Sequence, residues 1–229
     1  MKTSHILLAI IAVLTLTGMV ATDILLKDQY RTIDWRNPYQ QFEQKALPAA
    51  RHWVIDAAPI YEIKVVRSTG QPKALVAPDE GKFFRVRQEG DTAFVTLTPD
   101  YDGYLNRPRD DANQELGTHL LLQLPDVRTI RVNDGRLTLS DYTADSLNVW
   151  LQNSRLRTNK LTIANSLKLT ASQNSFAVLG RDHYKLLQVN VQDSSGLRLN
   201  NTQALAFRPE VSSKAEVQLR EGALRWLSK

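Results

Sequence analysis

The C-terminal half of the chain repeats a short alternating pattern at a nearly constant interval, and this repeat constrains the fold more than any other feature. Counted from Ile130, the units begin again at Leu147, Leu167, Leu187 and Leu205, at steps of 17, 20, 20 and 18 residues. Each unit contains an alternating apolar segment, a polar corner rich in Asn, Asp, Ser or Gly, and a second alternating segment. Repeats of about this length are typical of solenoids.

One such unit, with two or three short strands, is too small to bury its own apolar face. If the units stack, each strand pairs in parallel with its counterpart about 4.8 Å away, and apolar side chains form continuous columns. We therefore predict an all-β solenoid of about five or more short coils, roughly 25 Å long for five coils. Side chains at the corners could bond along the axis, although turn formation explains them equally well. These corners are Asn133-Asp134-Gly135, Asn153-Ser154, Asn174-Ser175, Asp193-Ser194-Ser195 and Ser212-Ser213.

The segment before the repeat also has the pattern of strands. Bursts of about five β-branched and aromatic residues alternate with Gly, Pro and Asp clusters, which predicts strands and turns. We expect these strands to cover or extend one end of the solenoid, and Leu224, Trp226 and Leu227 to close the other. Residues 99–115 are polar and turn-rich and predict a surface loop. The predicted strands are His52–Ile55, Tyr61–Val66, Ala74–Ala77, Phe83–Arg87 and Ala93–Leu97.

The N-terminus begins with seventeen uncharged residues, Ile6 to Thr22, and the apolar run resumes after Asp23. This length is close to the roughly 20 residues of a membrane span. Cleavage after Ala21 or Gly18 would place Met19 or Leu16 at the position that needs a small residue, so the sequence favours an uncleaved anchor over a secretory signal.

Positive charge precedes the span at Lys2, whereas Asp23, Lys27 and Asp28 nearly cancel after it, which predicts a cytoplasmic N-terminus and an exported remainder. We divide the chain into a transmembrane helix (1–27), a juxtamembrane connector (28–50) and a β-helix domain (51–229). Within that domain, residues 51–126 are less regular and residues 127–229 form the repeated coils.

Charge is divided unevenly along the chain. Residues 28–126 carry 12 Lys and Arg against 15 Asp and Glu, a formal charge of −3, whereas residues 127–229 carry 15 against 8, a charge of +7. A basic exported surface suits a glycan, an anionic lipid or an envelope protein, and nucleic acid is not expected. Outward arginines that keep a sheet soluble are the simpler explanation. The candidate basic binding face comprises Arg131, Arg136, Arg155, Arg157 and Arg198.

Few residues suggest catalysis or metal binding. The absence of cysteine excludes a disulfide framework, Cys-ligated zinc, thiol catalysis and a lipid-modified N-terminal cysteine. The four histidines lack metal-ligand spacing. Residues Asp100 to Asp111 resemble a calcium loop only superficially, because Asp111 stands where the loop needs Glu. Asp134 and Asp141 are the nearest approach to a carboxylate pair. We predict no cofactor, no metal and no catalytic residue.

The exported part resembles the auto-transporter adhesin head domain family, also called the GIN domain. The matching stretches are Ile60–Arg67, the hairpin Phe83–Leu97, the segment Leu120–Gly135 and the units that follow it. The resemblance covers about residues 50–229 and implies a right-handed parallel β-helix in a bacterial cell envelope, with a single-pass inner-membrane anchor and a periplasmic domain, or a secreted domain after signal cleavage. Fewer corner glycines and the polar 99–115 loop depart from the family pattern.

These observations favour a non-catalytic, membrane-tethered envelope β-helix that acts as an adhesin-like binding or scaffold module. A structural component that self-assembles through strand edges is the first alternative. A β-helix enzyme acting on polysaccharides is the second, but it would need a cleft with paired carboxylates or a basic residue beside bound calcium.

Overall fold

A computed structural model describes residues 2–98 and 117–228. The chain divides into two compact units, Met1–Gln41 and Phe42–Lys229. The polar loop predicted at 99–115 lies outside the described residues.

The first unit is built on one helix, α1 (Lys2–Thr32). From His5 to Thr32 the helix is long and apolar enough to cross a membrane, and that stretch is 0% buried in the protein. The predicted N-terminal helix is therefore confirmed. It continues through the first five residues assigned to the connector, because 28–32 contain neither Pro nor Gly and the first proline is Pro38.

The described part of the second unit consists mainly of strands, which are arranged in two sheets. The strands are β1 (Glu43–Ala46), β2 (His52–Ala57), β3 (Glu62–Arg67), β4 (Lys73–Val76), β5 (Phe84–Glu89), β6 (Thr92–Leu97), β7 (Thr118–Leu124), β8 (Thr129–Asn133), β9 (Arg136–Ser140), β10 (Thr143–Gln152), β11 (Arg155–Asn159), β12 (Thr162–Ser172), β13 (Phe176–Leu179), β14 (His183–Val191), β15 (Gly196–Leu199), β16 (Gln203–Val211) and β17 (Glu216–Leu219), followed by a 3-10 helix (Glu221–Ser228). All five strands predicted between residues 52 and 97 are confirmed, with ends shifted by at most two residues.

In the repeat, the chain alternates between the two sheets, and every strand pairs in parallel with its counterpart in the next unit. The eight-stranded sheet has the order β16-β14-β12-β10-β8-β2-β6-β5, and the nine-stranded sheet has the order β1-β4-β7-β3-β9-β11-β13-β15-β17. Leu147, Leu167, Leu187 and Phe207 occupy equivalent positions at steps of 20 residues. The expected parallel stacking of units is thus present in both sheets.

The register differs from the sequence alignment in the first and last units. Ile130 lies opposite Val149 rather than Leu147, and Phe207 rather than Leu205 lies opposite Leu187. A shift of two residues preserves the inward face of a strand. Leu205 is nevertheless 87% exposed, and it lies between Ala204 and Ala206, which pair with Tyr184 and Leu186 of β14.

Residues before the repeat extend the same sheets at one end. β2 pairs in parallel with β8, and β3 pairs in parallel with β9, so they add another parallel layer to the stack. Beyond them, β6 and β7 continue the parallel pairing, whereas β1, β4 and β5 are antiparallel. Both sheets are therefore mixed, and the prediction that this segment extends one end is confirmed. At the other end, Ala223 in the 3-10 helix is buried but Leu224 is about half exposed.

The core lies between the two sheets and is made of columns of Leu, Ile and Val. In the nine-stranded sheet, Leu137, Leu156, Ala177 and Leu197 stand in register and are all buried. Each buried leucine contributes about 2 kcal/mol relative to an exposed one. The core therefore depends on stacking, because no single unit contains enough of these side chains.

Buried serines join successive corners along the axis. The amide of Ser154 donates to Ser175 Oγ over 3.0 Å, and the amide of Ser175 donates to Ser195 Oγ over 3.1 Å. The amide of Gly135 donates to Ser154 Oγ over 3.3 Å. All three serines are 0% exposed. Of the two explanations for the corners, the structure shows that bonding along the axis does occur.

We predict that Ser175→Ala lowers the free energy of unfolding by about 1–3 kcal/mol, because the buried amide of Ser154 loses its acceptor. Ser194→Ala, one residue from the ladder and exposed, is the matched control and should change stability by less than about 0.5 kcal/mol. Urea unfolding of the two variants measures both values. Equal effects would show that the ladder adds nothing.

Candidate functional site

The five arginines predicted to form a basic face are divided between the two sheets. Arg136, Arg155, Arg157 and Arg198 lie on β9, β11 and β15 of the nine-stranded sheet, whereas Arg131 lies on β8 of the eight-stranded sheet. The five residues therefore do not share one face, because the chain changes sheet within each unit. Sequence spacing alone could not reveal this separation.

Glu62, a buried carboxylate, pairs with two arginines of the nine-stranded sheet. Glu62 Oε2 lies 3.4 Å from Arg136 Nε, and Glu62 Oε1 lies 3.2 Å from Arg157 Nη2. Thr138 Oγ1 also donates to Glu62 Oε1. Glu62 and Arg136 are 4% and 3% exposed. Parallel pairing of β3 with β9 brings together residues 74 positions apart, so no local pattern in the sequence signals this ion pair.

Apolar side chains accompany these charges on the outer side of the same sheet. Phe176 and Val178 on β13 are buried and form a cluster separate from the main core. The Arg198 guanidinium lies 5.4 Å from the centre of the Phe176 ring, within the range of a cation–π contact. Arginines on this face thus have partners within the protein, which identifies a structural role for them.

We predict that Glu62→Gln lowers the free energy of unfolding by about 3 kcal/mol, because a buried arginine loses its anionic partner. Glu89→Gln provides the control, since it removes the exposed pair between Glu89 and Arg87 and should cost at most about 1 kcal/mol. Chemical denaturation measures both. A loss for Glu62→Gln no larger than the loss for Glu89→Gln would contradict this assignment.

A second buried carboxylate, Asp182, lies at the turn before β14. It accepts hydrogen bonds from the Leu161 amide over 2.9 Å, the Gly180 amide over 3.0 Å and the Tyr184 hydroxyl over 3.0 Å, and also from Thr158 Oγ1. Burial raises the pKa of Asp182 from its ordinary value of 3.8, against the opposing effect of these hydrogen bonds. Burial, followed by the charge of Asp182, raises the pKa of Tyr184.

The hydrogen bonds of Asp182 join two successive repeats inside the protein. A Cβ at Gly180 would lie 2.5 Å from the Thr158 carbonyl oxygen, so only glycine fits this approach. Asp182 and Thr158 are 0% and 2% exposed. A carboxylate this enclosed has a structural role rather than a ligand-binding one.

We predict that the native chain loses stability relative to Asp182→Asn as pH rises above 3.8. The raised pKa means that the protonated carboxyl favours the folded state, and this contribution disappears as pH rises through the folded-state pKa. Urea unfolding at closely spaced pH values measures the difference, with Asp145→Asn at an exposed position as the control. The prediction is wrong if the difference in free energy of unfolding between the native chain and Asp182→Asn does not change with pH. It is also wrong if the native chain becomes more stable than Asp182→Asn as pH rises.

Side chains form rows that run across the strands on the outer face of the eight-stranded sheet, and two of these rows contain the candidate site. The first row crosses the middle of the face. The second row runs beside it, two residues away along each strand, as Asn148 is from Trp150 on β10. The first comprises Arg87, Phe94, Val54, Arg131, Trp150, Thr170, Asn190 and Glu210, and the second comprises Glu89, Thr92, His52, Thr129, Asn148, Lys168, Gln188 and Arg208.

The first row contains two pairs of an arginine beside an aromatic residue, separated by Val54. The Arg87 guanidinium lies 4.0 Å from the centre of the Phe94 ring, and the Arg131 guanidinium lies 5.7 Å from the Trp150 ring. Trp150 is 36% exposed. The basic face predicted from the sequence includes Arg131 but not Trp150, although a large aromatic residue at an outward position of an alternating strand was a signal in the sequence.

Grooves lined by charged side chains lie at the described outer surfaces of both sheets. A groove of about 350 Å³ lies on the eight-stranded sheet over β12, β14 and β16, and its polar lining includes Lys168, Gln188 and Arg208. A groove of about 480 Å³ lies beside the nine-stranded sheet and is lined in part by Arg157 and Arg181. Both are open and shallow, which suits an extended ligand better than a small molecule.

Among residues 2–98 and 117–228, no group of three or more His, Asp and Glu side chains is close enough to hold a metal ion. His119 accepts a hydrogen bond from the Glu62 amide through Nδ1 over 3.4 Å, and its ring contacts Tyr61. Asp134 accepts from Asn153, and Asp141 pairs with Lys160. The superficial calcium loop, Asp100 to Asp111, lies outside the described residues.

No protein-family model and no curated protein matches the chain. Solved structures of low similarity include a provisionally named adhesin of Bacteroides fragilis, which is 10% identical with a TM-score of 0.39 over 79% of this chain and 97% of that one. A provisionally named lipid-binding protein of Parabacteroides distasonis is 9% identical with a TM-score of 0.36, covering 80% of this chain and 97% of that one.

Proposed function

We propose that the protein is a non-catalytic binding module of the bacterial cell envelope, tethered by its N-terminal helix and related to the GIN domain family. The observation that supports this most directly is the combination of an unburied apolar helix at the N-terminus with a separate unit of stacked sheets. The helix suits membrane tethering. The sheets offer broad, shallow outer faces, which suit recognition of an extended partner rather than enclosure of a reacting group.

We also propose that the coils wind in the right-handed sense. Connections between parallel strands of one sheet are right-handed in about 98% of known cases, because twisted strands pack back onto the sheet in that way. Each unit in the repeat makes such a connection, for example from β10 through β11 to β12. The resemblance of the sequence to the GIN domain supports the same handedness.

Self-assembly remains the alternative function, and the last strand of the eight-stranded sheet favours it. β16 has β14 on one side only, and no other described strand pairs with it. Leu205 and Val211 on this strand are 87% and 45% exposed. An edge strand with exposed apolar residues can accept a strand from another molecule. Pro209 and the charges of Arg208 and Glu210 oppose such pairing, so we rank this function second.

The absence of native cysteine permits a direct test of the proposed location. We predict that Ser194→Cys, at an exposed corner, reacts with a membrane-impermeant maleimide in intact spheroplasts. Thr3→Cys, before the apolar run, should react only after lysis, since the positive-inside bias places that end in the cytoplasm. Gel shifts before and after lysis measure both reactions.

Three results would contradict parts of this proposal. Labelling of Ser194→Cys only after lysis would place the sheet unit in the cytoplasm and overturn the envelope location. Loss of the Thr3→Cys thiol from otherwise exported protein would show that the helix is a cleaved signal rather than an anchor. Turnover of a polysaccharide by the purified full chain would overturn the non-catalytic assignment.

A further inference from the structure

Trp150 stands on the outer face of the eight-stranded sheet, in the middle of a row of otherwise polar or smaller side chains. Its neighbour on one side is Arg131, whose guanidinium lies 5.7 Å from the ring, and its neighbour on the other side is the short Thr170. The side chain is 36% exposed. A rigid aromatic residue that keeps this much surface in solvent is a frequent anchor for a ligand.

The groove of about 350 Å³ begins at Thr170, next to Trp150 in the same row. Its outward side chains are amides, cations and one carboxylate, Glu210, whose Oε2 accepts from Asn190 Nδ2 over 3.4 Å. Lys168 and Arg208 lie in the adjacent row, separated by Gln188. The groove thus combines donors, acceptors and a net positive charge beside an aromatic ring.

This combination matches the chemistry of an acidic polysaccharide. A pyranose ring has an apolar face of C–H groups that packs on an aromatic side chain, and hydroxyls around its edge that bond to amides. Carboxylates on the sugar would pair with Lys168, Arg208 and Arg131. Strands repeat every 4.8 Å or so across the sheet, which is close to the length of one sugar residue, so a glycan crossing the strands meets equivalent positions repeatedly.

We infer that the outer face of the eight-stranded sheet binds an acidic polysaccharide chain, with one sugar ring packed on Trp150 and carboxylates paired with Arg131, Lys168 and Arg208. This inference rests on the proposed function of an envelope binding module and names its site and its ligand class. Of the five arginines singled out in the sequence, it assigns ligand contact to Arg131 alone. Phosphate headgroups of lipids would satisfy the cations but would give Trp150 no ring to stack on.

The test uses the full chain in detergent and measures binding by affinity electrophoresis in gels that contain polygalacturonate, alginate or hyaluronan. Dextran, which is uncharged, serves as the comparison polymer. We expect at least one of the three uronate polymers to retard the protein, with retardation that falls as salt rises, because ion pairs contribute. Dextran should retard it at least tenfold less strongly.

Variants then locate the site. Trp150→Ala should weaken binding at least tenfold, Trp150→Phe should weaken it less, and Lys168→Glu combined with Arg208→Glu should abolish it. Leu205→Ala, at another exposed apolar position on the same sheet, is the control and should leave binding unchanged. Unfolding curves of all variants verify that each one is folded.

Each negative result overturns a defined claim. No retardation by any of the three uronate polymers would overturn the ligand class, and binding that Trp150→Ala leaves intact would overturn the site. Binding of the full chain to phosphatidylglycerol vesicles instead, with the same dependence on Lys168 and Arg208, would replace the glycan with a lipid surface. The cysteine-labelling result is independent of all three, so failure here is distinguishable from failure of the proposed function.

Discussion

Parallel backbone pairing between successive units is the constraint on which the rest of this structure depends. It fixes the 20-residue step that brings Leu147, Leu167 and Leu187 into one column, and the core consists of such columns. Corners must then reverse the chain in very few residues, which explains positive φ angles at Asp134, Asn153 and Asp193, where short polar side chains tolerate the left-handed conformation. Stability is consequently shared among neighbouring units, since each unit contacts only those above and below it.

Stacking also buries polar side chains that the alternating pattern alone would leave at the surface. Ser154, Ser175 and Ser195 become an internal ladder because each corner covers the next. Glu62 is buried where β3 pairs with β9, and Asp182 is buried at a turn where it accepts four hydrogen bonds. The Glu62–Arg136 ion pair is buried with both charges in contact, and removal of either partner would leave an unpaired charge inside the protein.

The two outer faces differ in what they leave for a partner. On the nine-stranded sheet, Phe176 and Val178 are buried and Arg198 stacks on Phe176, and a groove lined in part by Arg157 lies beside them. On the eight-stranded sheet, Trp150 stays exposed beside a groove lined by amides and cations. The two faces therefore differ in their aromatic residues: Phe176 is buried on one face, and Trp150 is partly exposed on the other.

Much of the architecture was determined by the sequence itself. An uninterrupted apolar run specifies α1, and alternation punctuated by polar corners specifies short strands at nearly constant steps, because both signals are local. The tertiary structure decided which residues meet across units: the offset of Ile130 and Leu205 from the apparent register, the pairing of Glu62 with Arg136, and the separation of Arg131 from the other four arginines. These contacts join residues from different turns of the chain, and strand register is set by packing of the shared core, which no segment of the sequence contains by itself.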